Sequence, residues 1–240
     1  MDWVAGIDGC PAGWFLVRWN GSLEWTGQLF TSFDEILQTL KENRERFFRK
    51  AAIDVPIGLY ERSRKGGRAC DREARRMLGR PRSSSVFSPP ARPALRARSH
   101  AEANALNGPV GLSLQAFGIL SKIREVDAAM APQWQRTVFE AHPEVSFMAA
   151  AGRPMRWNKK EANGRHERLL VLEKIAPGFC DLFNCMRRTY RRRQVALDDI
   201  IDAGILCWTA RRILNGEARR LPQGAEPEID ARGLRMEIMF

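Results

Sequence analysis

The sequence has few of the features that mark membrane, disulfide-bonded or zinc-binding proteins. No apolar run approaches the roughly 20 residues needed to cross a bilayer, and the N-terminal MDWVAGIDGC lacks the layout of a signal peptide. The five cysteines are an odd number without a C-x-x-C pair, and there are only three histidines. We therefore expect a cytoplasmic protein with free buried thiols, no structural zinc and no membrane partner.

The excess of basic residues gives the first indication of function. Of the formal net charge of +11, +9 lies in residues 61–98, where twelve Lys or Arg stand against three acids. A second group, Arg187, Arg188 and Arg191 to Arg193, precedes the last helical pattern. Basic surfaces attract polyanions such as nucleic acid through long-range fields and counterion release. The alternative is a solvated face in a protein rich in arginine.

The first part of the chain predicts three antiparallel strands, a helix and a buried strand. Residues 3–8, 14–19 and 23–30 are rich in aromatic and β-branched residues and are separated by turn signals. Ser32 and Glu35 fit a capping box for a helix that extends to about Arg46. Residues 51–56 (AAIDVP) then predict a buried strand, which a helical crossover would place parallel to an earlier strand.

Glycine, proline and serine interrupt this pattern at residues 60–110. We interpret this stretch as a basic insertion, a substrate arm or lid, within a single domain that spans residues 1–240. A strand is predicted at 137–141, and helical patterns occur at 113–130, 144–150, 166–174 and 197–214.

Six blocks resemble the DUF429 family of predicted ribonuclease H-like nucleases. They are GIDGCPAGW at 6–14, IDVPIGL at 53–59, CDREARRMLG at 70–79, SSVFSP at 84–89, EAHPEVSF at 140–147 and DDIIDA at 198–203. The order of the predicted elements also resembles the ribonuclease H-like superfamily. The resemblance implies an α/β fold in which a mixed sheet, three antiparallel strands followed by parallel strands, is flanked by helices.

Five acidic residues stand where these segments are expected to meet. Asp8 and Asp54 lie in apolar strands, where an unpaired carboxylate costs several kcal/mol unless a cation or hydrogen-bond donors compensate it. If the strands are neighbours, the two acids lie about 5 Å apart, and their repulsion favours a bound divalent ion. Asp199 and Asp202 share one helix face, and Glu140 lies on the last predicted strand. We expect these acids to line one pocket.

The predicted function is that of a metal-dependent nuclease. Carboxylates suit Mg²⁺ or Mn²⁺, and two such ions can activate a water and stabilise the departing oxygen in phosphodiester hydrolysis. The predicted catalytic residues are Asp8, Asp54, Glu140, Asp199 and Asp202, with all but Asp199 as metal ligands. The structural alternative for any one acid is a salt-bridged or capping residue.

Three residues near these acids have structural interpretations of their own. Asp198 is typical of a helix N-cap, and Glu144 of a first helical turn. His142 fits a structural hydrogen-bonding residue better than a general base.

Arginines of the insertion are the predicted substrate-binding residues. Arg72, Arg75 and Arg76 share one face of a short helix pattern, Arg68 lies just before it, and guanidinium groups so placed can clamp phosphates. The expected partner is nucleic acid of undefined type or a phosphorylated small molecule. A disordered surface arm is the structural alternative.

Other functions stay open. The chain could bind nucleic acid or nucleotides without turnover, or it could hydrolyse a small phosphate ester with the same acids. A phosphotransferase of the actin and sugar-kinase type ranks last, because the core is not duplicated and no G-x-x-x-x-G-K-[ST] motif is present. The sequence does not define the oligomeric state.

Overall fold

A five-stranded mixed sheet lies at the centre of the computed structural model, which describes residues 2–42 and 47–240. The strands are β1 (Val4–Cys10), β2 (Gly13–Trp19), β3 (Trp25–Phe30), β4 (Lys50–Ile53) and β5 (Val138–Glu140). Their order is β3-β2-β1-β4-β5; β1 to β3 pair antiparallel, whereas β1, β4 and β5 are parallel. The predicted α/β class and mixed sheet are confirmed, and the arrangement is consistent with a ribonuclease H-like fold.

Helices pack on both faces of this sheet. They are α1 (Phe33–Glu42), α2 (Ala69–Leu78), α3 (His100–Asn107), α4 (Leu114–Gly118), α5 (Leu120–Ala129), α6 (Pro143–Ala151), α7 (Ala162–Ile175), α8 (Phe179–Thr189) and α9 (Leu197–Asn215). Ser32 caps α1 as predicted, since its Oγ accepts from the Glu35 N–H at 3.1 Å. The predicted end of this helix near Arg46 lies outside the described residues. The helix predicted over 113–130 is divided into α4 and α5.

Several elements were not predicted. Helix α8 is one of them, and four two-residue strands follow α9: β6 (Arg220–Leu221), β7 (Glu228–Ile229), β8 (Arg235–Met236) and β9 (Ile238–Met239).

Within residues 60–110, α2, α3 and two 3-10 turns at Arg82–Ser85 and Arg92–Arg96 provide regular structure. Apolar side chains of α2 are buried against Val145 and Ile238, so this part of the insertion is packed onto the fold.

A glycine allows α9 to lie directly against the sheet. A Cβ at Gly6 of β1 would be 1.9 Å from the carbonyl oxygen of Ala203, so no larger residue fits and the backbones of β1 and α9 approach closely. On α9 itself, a Cβ at Gly204 would be 2.2 Å from the Phe179 ring, which lets α8 pack closely on this helix. The contact between β1 and α9 brings the N-terminal turns of α9, with Asp199 and Asp202, to the carboxyl ends of β1 and β4.

The structure bears on two expectations drawn from composition. In the part of the chain that is described, no helix combines the length and apolar character that a membrane span requires. All five cysteines are free, but only Cys10, Cys70 and Cys207 are buried, whereas Cys185 is exposed.

Candidate active site

All five predicted acids line one cavity at the carboxyl ends of the parallel strands. Its volume is about 740 Å³, and its wall includes Asp8, Asp54, Glu140, Asp199 and Asp202. The expectation that these separated positions converge agrees with this placement. The acids differ, however, in what their carboxylates contact.

Asp8 and Asp54 lie side by side on neighbouring strands. Ile7 pairs with Ile53, and the N–H of Asp54 donates to the Ile7 carbonyl at 3.1 Å. Ile7 and Ile53 face the core under α1 and α5, so Asp8 and Asp54, one residue further along, face α9. Among the described residues, no side chain and no backbone N–H donates a hydrogen bond to either carboxylate. Neither carboxylate forms an ion pair within 4.0 Å.

Burial and repulsion both act on these two carboxyl groups. Burial raises the pKa of Asp8 well above its usual value, and repulsion by Asp54, Asp202 and Asp199 raises it further. Burial also raises the pKa of Asp54, against the opposing effects of His142 and Lys159. Without a nearby cation, ionisation of these two carboxyl groups is unfavourable. A cation bound between them would stabilise both carboxylates, so the pair favours cation binding.

A lysine that sequence reasoning missed lies within this cluster. The Lys159 Nζ is 2.5 Å from Oδ2 of Asp202, a residue only 1% exposed, and 3.9 Å from Oδ2 of Asp198. The attraction of Asp202 raises the pKa of Lys159. Lys159 belongs to the segment between α6 and α7, for which no helical or strand pattern predicted a position.

Asp199 connects the cluster to the end of α9. Its Oδ2 accepts from the N–H of Ala196 at 2.8 Å, so Asp199 caps the helix. The interpretation of Asp198 as the N-cap is therefore wrong, because Ala196 is the N-cap residue and Asp198 is already helical. Burial raises the pKa of Asp199 to about 7, with repulsion by Asp198 and Asp202 adding to it and the Ala196 bond opposing it.

The side chain of Glu140 does not project toward α9. Glu140 pairs with Ile53, so its side chain leaves the sheet on the face opposite Asp8 and Asp54. Its Oε2 accepts from the Ile57 N–H at 2.6 Å, and Arg68 donates to both oxygens at 2.5 and 2.7 Å. Burial raises the pKa of Glu140 to about 7 although Arg68 lowers it. This geometry does not favour Glu140 as a metal ligand, since both oxygens are engaged.

The prediction that four arginines bind the substrate also needs correction. Arg68 is 2% exposed, and besides Glu140 it binds Asp71 at 2.7 Å, so its guanidinium is fully engaged. Arg72 donates to the Gly67 carbonyl at 2.6 Å and Arg75 to the Val86 carbonyl at 2.8 Å, which fixes the loops around α2. Neither these two nor the exposed Arg76 lines the cavity. A shared helix face was correctly predicted, but that face does not border the acids.

Of the predicted arginines only Arg68 lines the cavity, and four other cations do so as well. They are Arg82, Lys122, Lys159 and Lys160. Arg82 donates to the Met155 carbonyl at 2.9 Å, and Lys122 donates to the Gly13 carbonyl at 2.5 Å. Arg82 belongs to the basic insertion, whereas no pattern in the sequence indicated that the three lysines would reach the acids.

Two further groups of the wall carry atoms without partners. His142 Nε2 lies 3.2 Å from the Ser85 carbonyl, whereas its buried Nδ1 has no hydrogen-bond partner. Glu144 lies in the first turn of α6, as expected, and pairs through Oε1 with Arg168, while its Oε2 is buried and unpartnered. Unsatisfied buried polar atoms are rare, and these two belong to residues that line the acidic cavity.

The donor chemistry of the cavity fits a hard divalent cation, but the described geometry does not yet form a metal site. Carboxylate oxygens of Asp8, Asp54 and Asp202 are the ligands that Mg²⁺ and Mn²⁺ prefer. Nevertheless, no group of three or more His, Cys, Asp or Glu within 2–42 and 47–240 is arranged to hold a metal ion. The cation that contacts Asp202 is the ammonium of Lys159.

Comparison with known proteins identifies the class to which this fold and cavity belong. The DUF429 family, described as proteins of unknown function, matches residues 6–227. The chain therefore belongs to the DUF429 family. No curated protein and no solved structure matches it.

Proposed function

We propose that this protein is a metal-dependent phosphodiesterase that acts on nucleic acid. The observation that carries the proposal is the pairing of Asp8 and Asp54, two desolvated carboxylates without hydrogen-bond donors, beside Asp202 in a cavity with a basic rim. A buried carboxylate pair without a structural partner is costly to the fold, which favours a functional reason for it.

In the proposed mechanism, Asp8, Asp54 and Asp202 hold Mg²⁺ or Mn²⁺. The ion would supply an activated water and neutralise charge on the phosphate. Asp199, held by the Ala196 N–H, would complete the cavity wall beside these ligands. Lys122 and the exposed Lys160 present positive charge to the phosphate oxygens from two sides of the cavity.

An arginine cluster beside the cavity favours a polymer over a small phosphate ester. Arg191, Arg192 and Arg193 are exposed, and no described acid pairs with them. The N–H of Ala12 donates to the Gln194 carbonyl at 3.1 Å, which joins this cluster to the turn after β1. Pro11 of that turn lines the cavity, so a bound strand could contact both the acids and the arginines.

The test compares wild type with Asp8→Asn and with Asp34→Asn, a matched change on the exposed surface of α1. Each is incubated with Mn²⁺ and a panel of single strands, duplexes, hybrids and junctions. The proposal expects cleavage by wild type and Asp34→Asn and loss of cleavage, by about 10³-fold or more, in Asp8→Asn. Binding without cleavage by wild type would favour the non-catalytic alternative, and turnover of small esters alone would favour the other.

A further inference from the structure

We propose that Lys159 is a built-in cation of the carboxylate cluster, which a divalent ion must displace from Asp202 in order to bind. This inference rests on the proposed metal dependence and goes beyond it, because it assigns a residue that controls metal affinity. Lys159 contacts Asp202 at 2.5 Å, and both Asp8 and Asp54 act on it electrostatically. The ammonium therefore occupies the position of a competing cation.

The segment that carries Lys159 is held in place by α7. The carboxylate of Glu167 accepts from the N–H groups of Arg156 and Trp157 at 2.9 and 3.1 Å. Arg168 donates to the Trp157 carbonyl at 3.0 Å. At Gly164 an added Cβ would lie 1.9 Å from the Asn158 carbonyl oxygen, so the segment packs tightly on the start of the helix.

A buried ion pair fixes the same segment to the cavity wall. Arg168 is fully buried and pairs with Glu144, which lines the cavity. Arg82 adds a second attachment, because it donates to the carbonyls of Met155 and Arg156 at 2.9 and 3.0 Å. Contacts from α7 and from Arg82 therefore hold the backbone that precedes Lys159. Its side chain extends to the carboxylate cluster, whereas the adjacent Lys160 is exposed.

An independent observation indicates that the cluster takes a ligand besides Lys159. Asp8 is 8% exposed and borders the cavity, yet no described group within 4.0 Å pairs with its carboxylate. Lys159 pairs directly with Asp202, and it acts on Asp8 and Asp54 only from beyond ion-pair distance. Lys159 lines the cavity and its side chain is 37% exposed, so packing does not enclose it completely. The proposal takes the ammonium to move aside when a divalent ion arrives. A displaced ammonium would stay near the ion and could contact a phosphate oxygen.

The experiment measures Mn²⁺ affinity by calorimetry in wild type, Lys159→Met, Lys159→Gln and Lys174→Met. Lys174→Met is the matched control, because it removes the same charge from an exposed residue of α7 that does not line the cavity. Lys159→Gln retains a hydrogen-bond donor for Asp202 and covers the case in which Lys159→Met does not fold. Removal of a competing charge at ion-pair distance should tighten Mn²⁺ binding by at least about tenfold in both Lys159 variants, and by less than about threefold in Lys174→Met.

Each outcome separates this inference from the proposed function. Equal or weaker Mn²⁺ binding in the Lys159 variants than in wild type would overturn the competition and leave the metal-dependent function intact. Binding that appears only after Lys159 is replaced would support the competition in its strongest form. Absence of binding in every variant, repeated with an oligonucleotide present, would overturn both proposals.

Discussion

Glu140 pairs with Ile53 across β4 and β5, and this register places its carboxylate on the opposite face of the sheet from Asp8 and Asp54. There it shares Arg68 with Asp71, in an ion-pair triad that is almost entirely buried. Glu140 and Asp71, which Arg68 neutralises, are thus separated by the sheet from Asp8 and Asp54, which face α9.

Replacement of Glu140 should reduce stability more than it reduces metal affinity. Glu140→Ala leaves part of the buried Arg68 guanidinium unpaired, which costs about 3–5 kcal/mol. Urea unfolding measures this loss, and Asp34→Ala serves as the exposed control. An unfolding free energy within 0.5 kcal/mol of wild type, by order of magnitude for a surface change, would contradict the structural role.

Replacement of Asp8 should raise the stability of the metal-free protein and abolish Mn²⁺ binding. Asp8→Asn removes a buried charge that is repelled by Asp54, so the metal-free variant should be more stable than wild type near pH 7. For a chain of this size, the melting temperature rises by about 2–4 °C for each kcal/mol of repulsion removed. The same variant should lose Mn²⁺ binding. A metal-free melting temperature below that of wild type would show that Asp8 has a structural partner.

The stability of the metal-free protein should depend on pH through Asp199. Its pKa is raised from an ordinary value of 3.8 to about 7, so the folded state holds the proton more tightly than the unfolded state. This contribution is fully present below the unfolded pKa and is lost as pH rises through about 7. Chelator-treated wild type should therefore lose stability relative to Asp199→Asn between pH 4 and 7. A constant difference between their melting temperatures over that range would refute the shift.

The close contact between β1 and α9 should tolerate no side chain at Gly6. A Cβ there meets backbone atoms, so Gly6→Ala should displace α9 and destabilise the fold by about 3 kcal/mol or more. Gly118→Ala is the control, because nothing lies within 4 Å of its added Cβ. Thermal melts of the two variants make the comparison. Similar melting temperatures would argue against a close contact at Gly6.

The arginine cluster at residues 191–193 should set the salt dependence of nucleic-acid binding. Each lost phosphate contact lowers the slope of log K against log[salt] by about 0.9 on duplex DNA. Replacement of all three arginines by alanine should therefore reduce the slope by about 2–3. Fluorescence anisotropy between 50 and 200 mM salt measures it, with Arg76→Ala as a control outside the cavity. An unchanged slope would remove this surface from the binding site.

The parts of the site that the sequence predicted are those that depend on local pattern. Asp8 lies in one apolar strand, Asp54 follows another, and Asp199 and Asp202 share a helix face, so local pattern together with the expected strand order brought them together. Helix α8 was missed although Phe179, Leu182, Phe183 and Met186 follow helical spacing and are buried. That signal was present in the sequence and was overlooked.

The errors concern side chains whose partners lie far away in the chain. Arg68 looked like a surface cation because Glu140, the partner that buries it against β5, lies 72 residues further along the chain. Lys159 gave no signal, because its position depends on α7 and on Gly164 rather than on its own neighbours. Strand pairing also decided the face of Glu140, since a shift of one residue would have turned it toward Asp8.

The triad of Arg68, Asp71 and Glu140 limits how the basic insertion can move. Any swing of α2 away from the sheet would separate three charges in surroundings of low dielectric constant, where an unpaired ion costs several kcal/mol. The start of the insertion is therefore anchored as firmly as a strand of the sheet itself. If the cavity takes a phosphate ester, as proposed, the ester would pass this fixed wall and would have to fit an opening that is already formed.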